Sequence, residues 1–347
     1  MKRNYYFSKK GSLTLEDKIL KFVPAIEKDS PADVICDDFV EISAQKRDIP
    51  IEDIASISLF ADINISSNVF KLLAEKNIPV FFYDKHFSPI GAFHPYSKSD
   101  DGKSIILQAG FFISKSRRLS LACSFVDAAV HNITKNLEYY NNRGKKLDKQ
   151  IEYLKKINSN VFASKDINSL MLLEALARKV YYSAFNSILN DNFKFTKRDF
   201  YPPSDPINSL LSFFNAMLYS AIESEMFSTK LNKNISFLHE PGASRNSLVW
   251  DLSEIFKPIL VERLIFSIVN HKIVSTDDFE TFGPACYIKK DAKKKLIRHF
   301  DDKINKTILN RETKRHQSFR SIIKYECYKL IDHFNGVDTY SPFKVWW

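Results

Sequence analysis

The sequence predicts an α+β protein: a small N-terminal antiparallel β domain over residues 1–95, then a larger all-helical catalytic domain over residues 96–347. Three observations carry this. Short runs rich in Val, Ile, Phe and Tyr recur between polar turns through the first ninety residues, the pattern of brief strands. Pro, Gly, Ser and Asp then cluster in SPIGAFHPYSKSDDGKS, residues 88–104, the composition of a connection. Beyond it, apolar residues return at three- and four-residue spacing almost to the end of the chain, which is helical periodicity.

In order, NYYF, ADVIC, FVEIS, SISLF and PVFFY read as strands, separated by the turn-forming KKG, KDSP, CDD and KRDIP. The segment Ser66 to Lys76 interrupts them with a serine cap followed by Val69, Leu72 and Leu73 at helical spacing. Residues 105–142 form a long helical segment, and Gly144 separates it from a second basic helix. Asp166 caps INSLMLLEALARKVYYSAFNSIL, whose stripe of Leu170, Leu173, Ala177, Val180, Ala184 and Ile188 faces a core. Glu174 stands beside that stripe, and its plainest role is an ion pair with Arg178 four residues on. Asp205-Pro206 opens another helix with a capping carboxylate and a first-turn proline, and Asn208 is placed to hold the preceding loop by hydrogen bonds.

The stretch LHEPGASRNSLVWDLSEIFKPILVERLIFSIV, residues 238–269, has the densest chemistry. Its helix opens near Ser244 or Ser247 and turns Leu248, Val249, Leu252, Ile255, Phe256, Ile259 and Leu260 toward a core. Asp251 and Glu254 are three apart and share another face, with His239 just ahead. Carboxylates and an imidazole together suit a divalent ion such as manganese, zinc or iron; a solvated charged face is the competing account. Farther on, a helix is expected at Asp277 to Phe282, followed by basic runs in which Arg311, Lys314 and Arg315 form a candidate phosphate-facing patch. The aromatic ending FNGVDTYSPFKVWW either docks on the domain or stays free.

The charge balance fits a polyanionic partner. Lys and Arg number 51 against 41 Asp and Glu, giving a net charge of +10 and a pI near 9.2. Cys36, Cys123, Cys286 and Cys327 are dispersed without a CxxC pair, which points to a reducing compartment. The basic start MKRNYYFSKK runs into GSLTLEDK rather than an apolar signal region, and there is no run of eighteen apolar residues. A cytoplasmic protein without a membrane span is expected.

Glu174 in LLEALARKVYYSAF, DPINSLLSFFNAMLYSAIESE from Asp205, FLHEPGASRNSLVWDLSEIFKPILVERL from Phe237, and the junction IPVFFYDKHFSPIGAF resemble, in order and spacing, the CRISPR adaptation integrase family, the universal CRISPR-associated endonuclease. The resemblance spans nearly the whole chain. It implies metal binding by Glu174, His239 and Glu254, with magnesium or manganese as the ion, and Asp251 as a further acidic catalytic position that orients the hydroxyl, binds a second ion or accepts a proton. It also makes Asn208 a support of the site, and Arg245 and Lys257 DNA contacts, Lys257 standing where the family often has arginine before proline. Two departures are Ala175, where glycine often follows the glutamate, and Glu254, where some members have aspartate. By the same resemblance, the chain inserts short DNA fragments into a CRISPR repeat array by 3′-hydroxyl attack on a phosphodiester of double-stranded DNA. It would work as a homodimer, with the N-terminal domain in dimerisation, and a smaller ferredoxin-like adaptation protein would bridge two dimers. The alternatives are a metal-dependent nuclease that hydrolyses branched or double-stranded DNA and a non-catalytic nucleic-acid-binding scaffold.

Overall fold

The computed structural model describes residues 3–16, 19–25, 47–84, 89–95, 102–242 and 246–347, in two compact units, Met1–Ser99 and Asp100–Trp347. The expected strands ADVIC and FVEIS, and Arg245, lie outside the described residues.

The first unit holds β1 (Arg3–Phe7), β2 (Gly11–Glu16), β3 (Ile19–Pro24), β4 (Arg47–Ile49), β5 (Ile54–Leu59), β6 (Ile63–Ile65), α1 (Ser67–Glu75), β7 (Val80–Tyr83) and β8 (Pro89–Phe93). Two four-stranded sheets form, in the orders β1-β5-β7-β8 and β4-β3-β2-β6. The α+β arrangement stands, but the expected antiparallel pairing needs correction, because both sheets are mixed. β1 and β5, β5 and β7, and β2 and β6 run parallel. For β5 and β7 the reason is α1, a helix between them that makes the crossover two parallel strands require. Leu13, Leu20, Phe22, Ile54, Ile57, Val69, Leu73 and Val80 close one core between the sheets and this helix.

The second unit is built from α2 (Gly102–Ile113), α3 (Lys115–Asn141), α4 (Asp148–Asn160), α5 (Ile167–Ser183), α6 (Phe185–Ile188), α7 (Pro206–Phe227), α8 (Ser247–Phe256), α9 (Arg263–Asn270), α10 (Lys290–Asn305) and α11 (Phe319–Phe334). It is mostly but not wholly helical. Two antiparallel hairpins interrupt it, β9 (Phe279–Phe282) with β10 (Ala285–Ile288) and β11 (Thr307–Asn310) with β12 (Arg315–Ser318). The helix expected at Asp277 to Phe282 is therefore a short 3-10 turn, Thr276–Asp278, running into β9. Gly283, at φ 57°, makes the tight reversal that a hairpin needs and a helix forbids. Among the described residues, no helix is long and apolar enough to cross a membrane.

Ser66 stands at the N-cap of α1 but makes no side-chain cap bond, whereas the other two predicted caps form. The Asp166 carboxylate accepts from Ser169 N at 2.7 Å, and that of Asp205 accepts from Asn208 N at 2.8 Å with Pro206 next in line. Helix α8 does not continue smoothly: Lys257–Glu262 is a π-helical stretch that leads into α9. Pro258 has no N–H to give the helix. Two buried asparagines of α3 grip the stretch from outside: Asn132 Nδ2 donates to Ile255 O at 3.0 Å and Asn136 Nδ2 to Pro258 O at 3.1 Å, the latter oxygen also accepting from Arg263 N.

The aromatic ending docks. Asn132 Nδ2 also donates to Phe343 O at 3.2 Å, Val345 N donates to Asn132 Oδ1 at 2.9 Å, and the Phe343 and Phe256 rings stack. His131 Nε2 lies 2.9 Å from Val345 O, and burial holds its pKa below the ordinary histidine value. A group protonated more readily unfolded than folded costs stability once the pH falls below its ordinary range. His131 is therefore expected to lower the melting temperature as the pH falls from about 7.5 to about 5.5, so that His131→Gln, which keeps a donor for Val345 O, has the less unfavourable slope. Equal slopes in thermal melts would refute this.

Candidate active site

The site begins with a buried carboxylate. Asp251, on the second turn of α8, is fully buried, and both of its oxygens are engaged by the segment ahead of the helix. Oδ2 accepts from Phe237 N at 2.6 Å and Leu238 N at 3.0 Å, while Oδ1 accepts from His239 N at 3.0 Å. Three successive backbone N–H groups thus converge on one carboxylate, a charge-assisted arrangement that fixes the loop. The same Oδ1 lies 2.8 Å from His239 Nδ1. With Nδ1 committed to Asp251, Nε2 on the far side of the ring is directed away from it. Burial works against the imidazolium, but the hydrogen bond and charge of Asp251, with the charge of Glu254, outweigh it and raise the His239 pKa. Asp251 therefore holds the loop and orients the imidazole; it is not presented beside Glu254 on an open face.

Glu254, one turn on, is 5% exposed and carries two cations. Its Oε1 accepts from Lys257 Nζ at 2.5 Å, and its Oε2 accepts from the Arg178 guanidinium. Burial alone would push this carboxyl up; Lys257 and Arg178 reverse that and hold it far below the usual carboxylate range. The ion pair expected between Glu174 and Arg178 is present at 3.3 Å, but it is one arm of a larger fork. Arg178 Nη1 also donates to Glu262 Oε1 at 3.0 Å, so α5 is tied to Glu254 at one end of the π stretch and Glu262 at the other. Burial, with the charge of Glu254, raises the Glu174 pKa. Glu174, His239 and Glu254, far apart in sequence, thus share one electrostatic neighbourhood.

Other predicted residues fall elsewhere. Asn208 is fully buried and holds the 197–199 loop: its Nδ2 donates to Lys197 O at 2.9 Å, and its Oδ1 accepts from Asp199 N at 2.9 Å and Arg198 Nη1 at 2.9 Å. Lys257 is turned inward, onto Glu254 and over the Tyr219 ring. Its pKa is raised, because the Glu254 charge outweighs burial. Arg311, Lys314 and Arg315 are exposed at the turn of the β11–β12 hairpin. Sequence reasoning passed over Glu262 and the part played by Arg118. Arg118 Nε donates to Phe237 O at 2.9 Å and its Nη2 pairs with Glu240 at 2.6 Å, bracing the His239 loop from α3. The available signal was the Arg117-Arg118 pair, which composition alone assigned to solvent or phosphate.

The donor chemistry fits a divalent ion. Two carboxylates and an imidazole whose other ring nitrogen is held by a carboxylate form a familiar oxygen–nitrogen set with its supporting partner. Among the described residues, no three His, Cys, Asp or Glu side chains already converge on one ion position. Arg178 and Lys257 occupy Glu254 instead.

A unit rich in strands followed by a mostly helical unit is an architecture shared with solved Cas1 proteins. The family model "CRISPR associated protein Cas1" matches residues 36–302, more than half of the chain. The "CRISPR-associated endonuclease Cas1 3" of Thermodesulfovibrio yellowstonii is 39% identical over 302 residues, 87% of this chain and 92% of that protein. A Cas1 protein from Thermotoga maritima superposes with a TM-score of 0.82 at 25% identity, covering 99% of this chain and 100% of that one. A casposase bound to integration product has the same fold, with a TM-score of 0.81 at 17% identity over 98% of this chain and 92% of that one. The chain belongs to the Cas1 family of CRISPR-associated proteins.

Proposed function

We propose that this protein is a metal-dependent DNA integrase of CRISPR adaptation, joining the 3′-hydroxyl end of a short DNA fragment to a phosphodiester of the repeat array. One observation carries the reading: the His239 imidazole is locked by Asp251 beside Glu254, which in turn is linked through Arg178 to Glu174. Glu174, His239 and Glu254 would hold a magnesium or manganese ion. When bound, such an ion polarises the phosphate and eases deprotonation of the attacking hydroxyl.

The chain's own residues do the rest. Asp251 keeps Nδ1 of His239 engaged, so that Nε2 presents its lone pair in a fixed direction. Arg118 and Asp251 grip the Phe237–His239 backbone from opposite sides and limit its movement. Asn208 fixes the loop ahead of α7. The exposed Arg311, Lys314 and Arg315 would meet phosphates, which position a duplex without reading its sequence. Homodimerisation through the N-terminal unit, and a smaller ferredoxin-like adaptation protein bridging two dimers, would pair two such sites on one DNA.

The test is a labelled short duplex with free 3′ hydroxyls, a supercoiled plasmid bearing a repeat array, and manganese. Covalent joining of label to plasmid is expected. Cleavage without joining would instead support a hydrolytic nuclease. Binding with neither reaction, unchanged by Glu174→Gln or Glu254→Gln, would support a scaffold.

A further inference from the structure

The Arg178 guanidinium is shared by three carboxylates, but only two of them belong to the proposed ion site. We propose that Arg178 is a resident counter-cation that occupies that site in place of the divalent ion, and that Glu262 is the anchor that receives it when the ion binds. This rests on the reading of Glu174 and Glu254 as ion ligands.

Three features of the geometry support it. Arg178 uses a different nitrogen for each partner: Nε for Glu174, Nη2 for Glu254 and Nη1 for Glu262. The first two bonds can therefore be released while the third holds. Glu262 is 1% exposed, and its Oε2 has no hydrogen-bond partner among the described residues. A buried acceptor left open is costly, and here it sits on a carboxylate already bonded to a guanidinium. A small rotation of Arg178 off Glu254 would let a second N–H reach Oε2 and convert a single bond into a bidentate fork. Lys257, the other cation on Glu254, already lies 5.5 Å from the centre of the Tyr219 ring, an alternative seat for an ammonium.

Charge gives the arrangement its purpose. Glu174 and Glu254 without a counter-cation would repel one another in a poorly solvated setting. Arg178 keeps them together while no ion is bound, and its competition tunes how tightly an ion is taken up. It acts through the ligands and touches no reacting atom, so it is a positioning residue.

The experiment is calorimetric titration of manganese into the full-length protein without DNA, alongside thermal melts in chelator. Arg178→Gln is expected to melt lower in chelator yet bind manganese about tenfold tighter, the scale on which outer partners of a metal site act. Glu262→Gln weakens the anchor, leaves Arg178 on Glu254, and is expected to bind manganese about tenfold more weakly. Combined with Arg178→Gln, the Glu262→Gln change is expected to have no further effect on manganese affinity. Weaker or unchanged binding in Arg178→Gln overturns the proposal, as does a Glu262→Gln effect that persists in the double variant, which would make Glu262 itself a ligand. If Arg178→Gln does not fold, Arg178→Lys serves: its ammonium cannot span three carboxylates, so it too must bind manganese more tightly. Wild-type protein that takes up no manganese defeats the ion reading and this inference together, whereas wild-type binding with the wrong variant order defeats this inference alone.

Discussion

His239→Ala is expected to reduce strand joining by more than about 100-fold while leaving most DNA binding intact. Partners that merely orient a metal ligand are worth about 10- to 100-fold, so loss of the imidazole itself should exceed that. The substitution is local. Asp251 still accepts from the backbone N–H groups of Phe237, Leu238 and residue 239, so the loop keeps its path. The exposed Arg311, Lys314 and Arg315, proposed to meet phosphate, lie on another element and are untouched. Gel separation of joined label from free fragment, beside a mobility-shift titration, reads both quantities. Joining at the wild-type rate would sink the assignment of His239.

Asp251→Ala should do wider damage. It leaves three backbone N–H groups and one imidazole nitrogen without their acceptor, in a place with no access to water. Each orphaned donor costs about 1–3 kcal/mol, so the total loss should be at least about 4 kcal/mol. Asn is no rescue, because it offers one acceptor oxygen where the site uses two. Joining should fall with stability in both variants, read by urea unfolding and the joining assay. A variant with normal stability and no joining would return Asp251 to direct chemistry.

The contrast between these two residues shows what the sequence could disclose. Spacing put Asp251 and Glu254 on one helix and His239 just ahead of it, and local rules found the caps at Asp166 and Asp205, because caps and helical stripes depend on neighbours in the chain. The direction of the Asp251 carboxylate depended on where residues 237–239 fold back, which is not local. The inward turn of Lys257 was hidden for a related reason: one turn from a buried glutamate, its amine gains more from Glu254 than from solvent. The β2–β3 hairpin escaped notice because GSLTLEDKILKFVP has only Asp17-Lys18 at its centre and lacks the usual glycine turn signal. Parallel pairing of β5 and β7 was likewise hidden, since their direction is set by the α1 crossover and not by the strands themselves. Glu262 gave no signal, being eight residues from Glu254.

In an unbroken α-helix, residues eight apart stand about 80° from one another around the axis, at 3.6 residues per turn. Glu254 and Glu262 nevertheless reach the same guanidinium, and the wider π turn between them makes up the difference. The stretch from Lys257 to Glu262 is thus constrained in length more tightly than in composition. An apolar exchange at Ile259 or Leu260 would disturb packing alone, whereas removal of one residue would rotate everything downstream by about 100°. Glu262 would swing away from Arg178, and the less buried side of α9, with Arg263, Ser267 and Asn270, would turn toward the interior now filled by Leu264, Ile265 and Phe266. Insertions and deletions should therefore be far rarer here than substitutions, so that the spacing is kept even where the letters change.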